Sequence, residues 1–484
     1  MPSSAEPRAW CVIGAGPSGL AAVRHLQAAG IPVECLEREA GLGGNWLFGS
    51  GTSRVFASTR LISSQRLTEF ADFPMPRHWP AYPDHRQCLE YLRAYAAHFG
   101  LESLIRTGIT VEAIEPVGPS GTGWLVRTDR GASRYAGVVI ASGHNHAPRF
   151  PDVPGRFTGD LLHAADYKSP TVPAEIAGRR VLVIGGGNSG CDIAVECSRH
   201  AARTVHSTRR GYYVVPRFVL GRPADLRGER LLKMRAPIWL RRFVALRGIA
   251  RTVGLPWQHG LPRPDHKLFE THPVVNADLL AQIDGGRIRP AGDVAAFDGR
   301  AVVFRDGSRE TFDIVIAATG YVTTLPFIDC RLLGADGAGG MPQLFMNLLH
   351  FSRDDIAVVG LIQPDSGQWG ITDVQAKLVA RMAVAARESP AAASWLYARR
   401  QRPGADSPIR YLDSPRHALE VEHFSYRREL ERIVAAIERR LRHTAIAKRS
   451  RLAVTGERRS SGLPGEAPAA GRRGPRCPGR GRRR

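Results

Sequence analysis

The chain has 484 residues, two to three domain-lengths, with 43% hydrophobic and 23% charged residues, the balance of a globular protein with material for a large core. No apolar run reaches the roughly 18 residues needed to cross a bilayer, and the N-terminus lacks the basic and apolar regions of a secretion signal. A net charge of +22 suits a nucleic-acid binder only until it is located along the chain.

Residues 9–37 read as one unit: a strand at Trp10–Ile13, the loop Gly14-Ala15-Gly16-Pro17-Ser18-Gly19, a helix through Leu20–Ala29, and a strand Val33–Leu36 ending at Glu37. This is a dinucleotide fingerprint in its proper setting. Gly14 permits the tight turn, Gly16 lets a pyrophosphate approach the backbone, and Gly19 lets the helix pack on the strand. The helix N–H groups then face the phosphates, and Glu37 can accept from both ribose hydroxyls. Arg86–Phe99 has helical periodicity and closes at Gly100. Ile109–Ile114 and Trp124–Thr128 read as a hairpin, followed by Val138–Ala141 running into Ser142-Gly143.

A second fingerprint begins at the strand Arg180–Ile184, followed by Gly185-Gly186-Gly187-Asn188-Ser189-Gly190, a helix through Cys191–Arg199, and a strand Thr204–Thr208. Its terminal residues are Ser207, Thr208, Arg209 and Arg210 instead of an acid. Guanidinium pairs with a 2′-phosphate that a carboxylate would repel, so this copy is expected to take NADPH. The acid-ended copy suits FAD. Leu231–Ile249 has basic amphipathic character with a break at Pro237, and reads as a helix packed on the domain. Val302–Phe304 and Phe312–Ala317, running into Thr319-Gly320, repeat the layout of the first unit. Thr372–Arg387 and Ala418–Arg440 look like helices covering the first domain, and Trp369 reads equally as a pocket or a core aromatic.

From Lys448 to the end, 12 Lys/Arg stand against two acids in 37 residues, leaving +12 for the other 447. This Gly/Pro-rich end is expected to be disordered, and no specific nucleic-acid partner follows from it. The seven cysteines (Cys11, Cys35, Cys88, Cys191, Cys197, Cys330, Cys477) show no CxxC or Cys/His ligand spacing. No metal site, disulfide framework or dithiol reductase chemistry is expected, and a cytoplasmic location is the default.

Phe157-Thr158-Gly159-Asp160-Leu161-Leu162-His163-Ala164-Ala165-Asp166-Tyr167 matches FxGxxxHxxxY, the identifying sequence of the flavin-containing monooxygenases. From about residue 9 to 440 the chain resembles that family, with further matches at Gly43-Gly44-Asn45-Trp46, Asp72-Phe73-Pro74-Met75-Pro76, Asn188-Ser189-Gly190 and Ala318-Thr319-Gly320-Tyr321. The resemblance implies an α/β protein of two Rossmann-like domains, the NADPH domain inserted into the FAD domain. The expected boundaries are 1–165 and 323–445 for FAD, 166–322 for NADPH, and 446–484 for a disordered basic tail. It implies that NADPH reduces FAD and that O2 adds to the reduced flavin as a C4a-hydroperoxide. An amine nitrogen or thioether sulfur then takes the distal oxygen in a dry pocket.

On this resemblance FAD would be held by Gly14, Gly16, Pro17, Ser18, Gly19, Glu37, Arg38, Gly44, Asn45, Trp46, Ile62 and Ser63. NADPH would be held by Gly185, Gly187, Asn188, Ser189, Gly190, Ser207, Thr208, Arg209 and Arg210. Ile62 replaces the family's flavin-contacting Asn and has no side-chain donor, so Ser63 or Ser64 is a candidate to substitute, with His163 a third candidate for a catalytic role. His163 and Tyr167, four apart, would share a helical face, and both are also candidates to pin the interdomain linker. Ketone-oxygenating (Baeyer–Villiger) relatives usually carry Trp where this chain has Tyr167. Ketone oxygenation and an uncoupled NADPH oxidase are the alternatives, and the oligomeric state is not readable.

Overall fold

The computed structural model describes residues 8–117, 123–234, 236–404, 407–412 and 417–460. Its helices of four or more residues in α geometry are α1 (Pro17–Ala28), α2 (Gln65–Thr68), α3 (His85–His98), α4 (Asn188–Cys197), α5 (Ala224–Lys233), α6 (Ile238–Thr252), α7 (Asp278–Asp284), α8 (Trp369–Glu388), α9 (Pro390–Arg400) and α10 (His423–Ser460).

Two parallel sheets organise the chain. The first has the order Ile356–Val358, Gly137–Ile140, Trp10–Ile13, Val33–Leu36, Ile105–Arg106. Trp10–Ile13 and Gly137–Ile140 are buried at every position, as central parallel strands covered on both faces must be. The second sheet has the order Asp160–His163, Ile314–Ala317, Arg180–Ile184, Arg203–Ser207, Ile288–Ala291. Each sheet carries a satellite sheet: Val111–Pro116, Trp124–Thr128 and Gly131–Tyr135 pair antiparallel, as do Val294–Gly299, Ala301–Phe304 and Arg309–Thr311, to which Gly155–Phe157 adds a fourth, parallel strand. Alternating β and α elements with a fingerprint after the first strand of each set produce this doubly wound form.

On the first sheet α1 packs against α8, and α8 against α10. Their buried faces (Leu20, Val23 and Leu26; Leu378, Val379 and Met382; Leu430 and Ile433) belong to one hydrophobic core. Trp369, 4% exposed, stacks on Tyr91 at 5.7 Å within that core. It is a core aromatic.

Three expectations need correction, and one strand was not foreseen. Asp160–His163 pairs with Ile314–Ala317 and Gly155–Phe157 pairs with Phe297–Gly299, so the second unit takes strands from the stretch ahead of the expected 165/166 boundary. His163 and Tyr167 share no helical face, because the first ends a strand and the second follows a turn. Val294–Gly299 is a strand that the sequence reading did not place. The tail expected to be disordered from 446 begins as helix: α10 continues to Ser460, through a run of Ala, Leu, Arg and Glu with good helix propensity. The last part of the tail, 461–484, lies outside the described residues. Among the described residues no helix is long and apolar enough to cross a membrane, and no cluster of His, Cys, Asp or Glu could hold a metal.

Candidate active site

The first fingerprint occupies the carboxyl end of the first sheet, where its strand order reverses, the place where open α/β sheets bind ligands. A Cβ on Gly19 would lie 1.8 Å from the Gly14 carbonyl oxygen, so only glycine lets α1 start this close to its strand. Pro17 and Ser18 open α1, Gly16 caps it without any side-chain hydrogen bond, and its first turn holds no acid. The N–H groups of that turn are left for an anion. Gly16 faces Gly44, the start of the short 3-10 turn Gly44–Trp46. Asn45 Oδ1 accepts from Arg54 N–H at 2.7 Å, Trp46 meets Trp369 edge-on at 5.6 Å, and Arg38 is exposed.

Glu37, 5% exposed, is held across the loop it was expected to serve. Its Oε2 accepts from Ala15 N–H at 2.7 Å and its Oε1 from Glu39 N–H at 2.8 Å. Burial raises its carboxyl above the usual carboxylate range, and the two N–H groups oppose that rise. Each oxygen retains a lone pair for a ribose hydroxyl.

Of the polar groups over this loop, the sequence points to Ser142 but not to the two histidines after it. Ser142 Oγ, His144 Nδ1 and His146 Nδ1 are buried without partners, and the turn that carries them lies against Gly14. Burial holds the His144 imidazole down to about 4, and lowers that of His146. Both are therefore neutral near pH 7 and need hydrogen bonds. Ser142-Gly143 was legible as a turn under a cofactor, and the histidines just after it were the available signal. Orphaned polar groups around an uncapped helix start fit a dinucleotide such as FAD.

The second fingerprint repeats the geometry. A Cβ on Gly190 would lie 2.0 Å from the Gly185 carbonyl oxygen, and Gly187 caps α4 without a side-chain hydrogen bond. Its polar residues divide. Asn188 is a brace, Nδ2 donating to the Pro273 carbonyl at 3.2 Å and Oδ1 accepting from Val275 N–H at 2.8 Å. Ser207 is buried and donates to the Gly292 carbonyl at 2.6 Å. Ser189 and Arg209 are exposed, Thr208 Oγ1 is buried without a partner, and Arg210 pairs with Asp265 at 2.7 Å. An open helix start, an orphaned hydroxyl and an exposed guanidinium fit a phosphorylated nucleotide such as NADPH.

The three catalytic candidates separate as clearly. His163 is fully buried; its Nδ1 accepts from Ala165 N–H at 3.0 Å, so Nε2–H donates to the Gly320 carbonyl at 3.2 Å. Both nitrogens are used, and His163 pins the linker. Tyr167 does likewise, donating to Glu196 at 2.9 Å with its ring against Phe56. Thr68 donates to the Ser64 carbonyl at 3.0 Å, so Ser63 must give its proton to Thr68 Oγ1 at 2.8 Å. Ser64 Oγ, by contrast, is buried without a partner.

Ile62 and Ser63 line a cavity of about 1370 Å³ that runs under α5 and α6. Leu67, Tyr82, Phe243 and Asp225 are also in its walls.

The model of the flavin-binding monooxygenase-like family matches residues 8–454. The chain belongs to that family. It is 32% identical over 449 residues to flavin-containing monooxygenase 5 of Mus musculus, covering 87% of this chain and 82% of that one. To flavin-containing monooxygenase 2 of Homo sapiens it is 31% identical over 403 residues, covering 77% and 72%. Among solved structures, S-allyl-L-cysteine S-oxygenase from Allium sativum superposes with a TM-score of 0.60 at 18% identity, covering 93% of this chain and 94% of that one. Cyclohexanone monooxygenase from Rhodococcus sp. Phi1 bound to NADP+ does so at 0.62 and 20%, covering 90% and 99%. At those identities the structures establish the fold, two Rossmann-type units. The protein is an FAD- and NADPH-dependent monooxygenase.

Proposed function

We propose that this monooxygenase transfers oxygen to a soft nucleophile, an amine nitrogen or a thioether sulfur, bound in the cavity beside Ile62 and Ser63. The observation that carries the reading is the placement of that largely apolar cavity against the residue position where the family's flavin-contacting Asn would stand. Relatives at about 30% identity support it, one of them, from Pan troglodytes, named an N-oxide-forming dimethylaniline monooxygenase. The cyclohexanone monooxygenases share the fold at only 18–20% identity, so ketone oxygenation is not favoured.

Bound FAD, once reduced by NADPH, supplies the activated oxygen. The chain's own part is to hold and enclose. In this reading Gly14–Gly19 and Glu37 seat FAD, with Ser142, His144 and His146 satisfying its polar atoms. Gly185–Gly190 and Thr208 seat NADPH, and Arg209 reads its 2′-phosphate. Buried apolar side chains of the lining such as Leu67 and Ile249 keep water from the transfer, and Ser64 Oγ is the hydroxyl left to replace the missing Asn side chain. The six described cysteines are buried and form no disulfide among the described residues, which suits a cytoplasmic home.

Purified enzyme turning over NADPH with N,N-dimethylaniline, methyl phenyl sulfide and cyclohexanone in parallel tests this. The expected products are the N-oxide and sulfoxide, close to one per NADPH. Lactone as the main product would overturn the substrate assignment, and H2O2 accounting for all the NADPH would make the protein an oxidase.

A further inference from the structure

The cavity beside Ile62 has a carboxylate in its wall. Asp225, the second residue of α5, reaches from the inserted unit to the loop of the first: its Oδ2 accepts from Ser64 N–H at 2.6 Å and its Oδ1 from Leu226 N–H at 2.9 Å. No Lys or Arg forms an ion pair with it among the described residues. Burial raises its carboxyl, against the pull of Ser64, through its N–H and its side chain, and of the Leu226 N–H. The charged groups nearby are accounted for elsewhere or face outward. Arg66 of α2, Arg222 and Arg227 of the α5 segment, and Arg247 and Arg251 of α6 also line this cavity, and all five are exposed. Arg241 of α6 faces Glu422 at 3.9 Å. The charge of Arg217 acts on Asp192 and Tyr82, and Glu229 lies one turn along α5. Tyr82, the remaining titratable neighbour, donates to the Arg217 carbonyl at 2.6 Å.

A carboxylate in an apolar wall with no counter-ion is unfavourable unless a cation joins it. Each of its oxygens keeps a free lone pair. The open side is the cavity, so the complement is a cationic substrate.

We propose that Asp225 is the binding residue and proton acceptor for substrates that arrive as ammonium ions, which makes amines the preferred class over thioethers of the same shape. This rests on nitrogen and sulfur oxygenation as argued above. An amine nitrogen can attack oxygen only after losing its proton. At Asp225 the N–H bond breaks, its electron pair stays on nitrogen, and the proton passes to a carboxylate oxygen. The stoichiometry then closes without a further proton source: R3NH+ + NADPH + O2 gives R3NO + NADP+ + H2O. The ammonium proton and the nicotinamide hydride are the two hydrogens of the water formed. A thioether brings no such proton and pairs with no carboxylate.

The experiment compares wild-type holoenzyme with Asp225→Asn, using a tertiary alkylamine and its isosteric thioether. Losing an ionic hydrogen bond of about 1.5–3 kcal/mol lowers the amine-to-thioether ratio of kcat/KM by roughly 10- to 100-fold. The acid limb of the amine pH profile, set by protonation of Asp225, disappears in the variant. A readout independent of turnover is quenching of flavin fluorescence by benzyltrimethylammonium, which cannot be oxygenated, against its neutral isostere neopentylbenzene. Wild-type enzyme is expected to bind the cation at least tenfold more tightly, and this comparison holds even where the variant fails to fold. Equal binding of the two probes, or equal loss of amine and thioether turnover in the variant, overturns the proposal and leaves Asp225 a brace for Ser64. Absence of any amine or thioether oxygenation by wild-type enzyme, with the cation still preferred, would instead count against the reading it rests on.

Discussion

Arg210 lies with its guanidinium on Asp265 at 2.7–2.8 Å, while Arg209 beside it is exposed and has no ion pair among the described residues. Both were legible as arginines where an acid would otherwise stand, but which one is available depends on Asp265, 55 residues further on. A guanidinium already matched to a carboxylate has less to offer a phosphate. Arg209→Ala is therefore expected to raise KM for NADPH roughly 10- to 100-fold, the worth of a charge-assisted hydrogen bond, with KM for NADH little changed. Arg210→Ala should have the smaller effect. Steady-state kinetics with both nucleotides decides it, and equal effects on the two would remove the 2′-phosphate role. The serines after Ile62 follow the same logic. Sequence places Ser63 and Ser64 side by side, and only Thr68, one turn along α2, reveals that the first is committed and the second is not.

At the level of single elements, periodicity located the helices well, because α1, α3 and α8 bury one face each on a core. It failed for His163 and Tyr167, since four-residue spacing is shared by a helical face and by a strand end followed by a turn. It also passed over α9, which buries Ala392, Leu396 and Arg400. Arg400 is 0% exposed; its Nη1 donates to the His350 and Arg353 carbonyls, both at 2.7 Å, and its Nη2 pairs with Asp354. It ties α9 to the turn that feeds the strand Ile356–Val358, an edge of the first sheet. Arg400→Ala leaves two carbonyls and a carboxylate unmatched and should destabilise the protein by about 3–5 kcal/mol. Urea denaturation of the holoenzyme measures it, and a loss under about 1 kcal/mol would show that water replaces the guanidinium.

Across the whole molecule, the two-sheet plan was readable because each fingerprint arrives with its own strands. The seam between units was not, because the strands that define it pair with segments some 150 residues away. A buried charge group also spans that seam. Arg241 of α6 meets Glu422 near the start of α10, and Asp365 stands by with its Oδ1 accepting from His423 N–H at 2.9 Å. Burial first, then the Glu422 charge, pushes the Asp365 carboxyl up to about 7. The unfolded chain releases that proton near 4, so between about pH 4 and 7 the folded state binds more protons and loses stability as pH rises. Asp365→Asn keeps the acceptor and removes the charge. Its Tm is expected to exceed wild type at pH 8, with the gap shrinking toward pH 5; an identical gap at both pH values would mean that Asp365 does not titrate in this range.

The inserted unit is entered and left through adjacent doors. Ala147–Pro148 runs antiparallel to Tyr321–Val322, and Arg149 N–H donates to the Gly320 carbonyl at 3.0 Å. A body hung from one strand of chain can swivel in any direction, whereas two strands laced together act as a strip with a stiff plane. Laced in this way, the two crossings share one anchor, and the contacts of Asp225 with Ser64 and of Arg241 with Glu422 add to it instead of holding the seam alone.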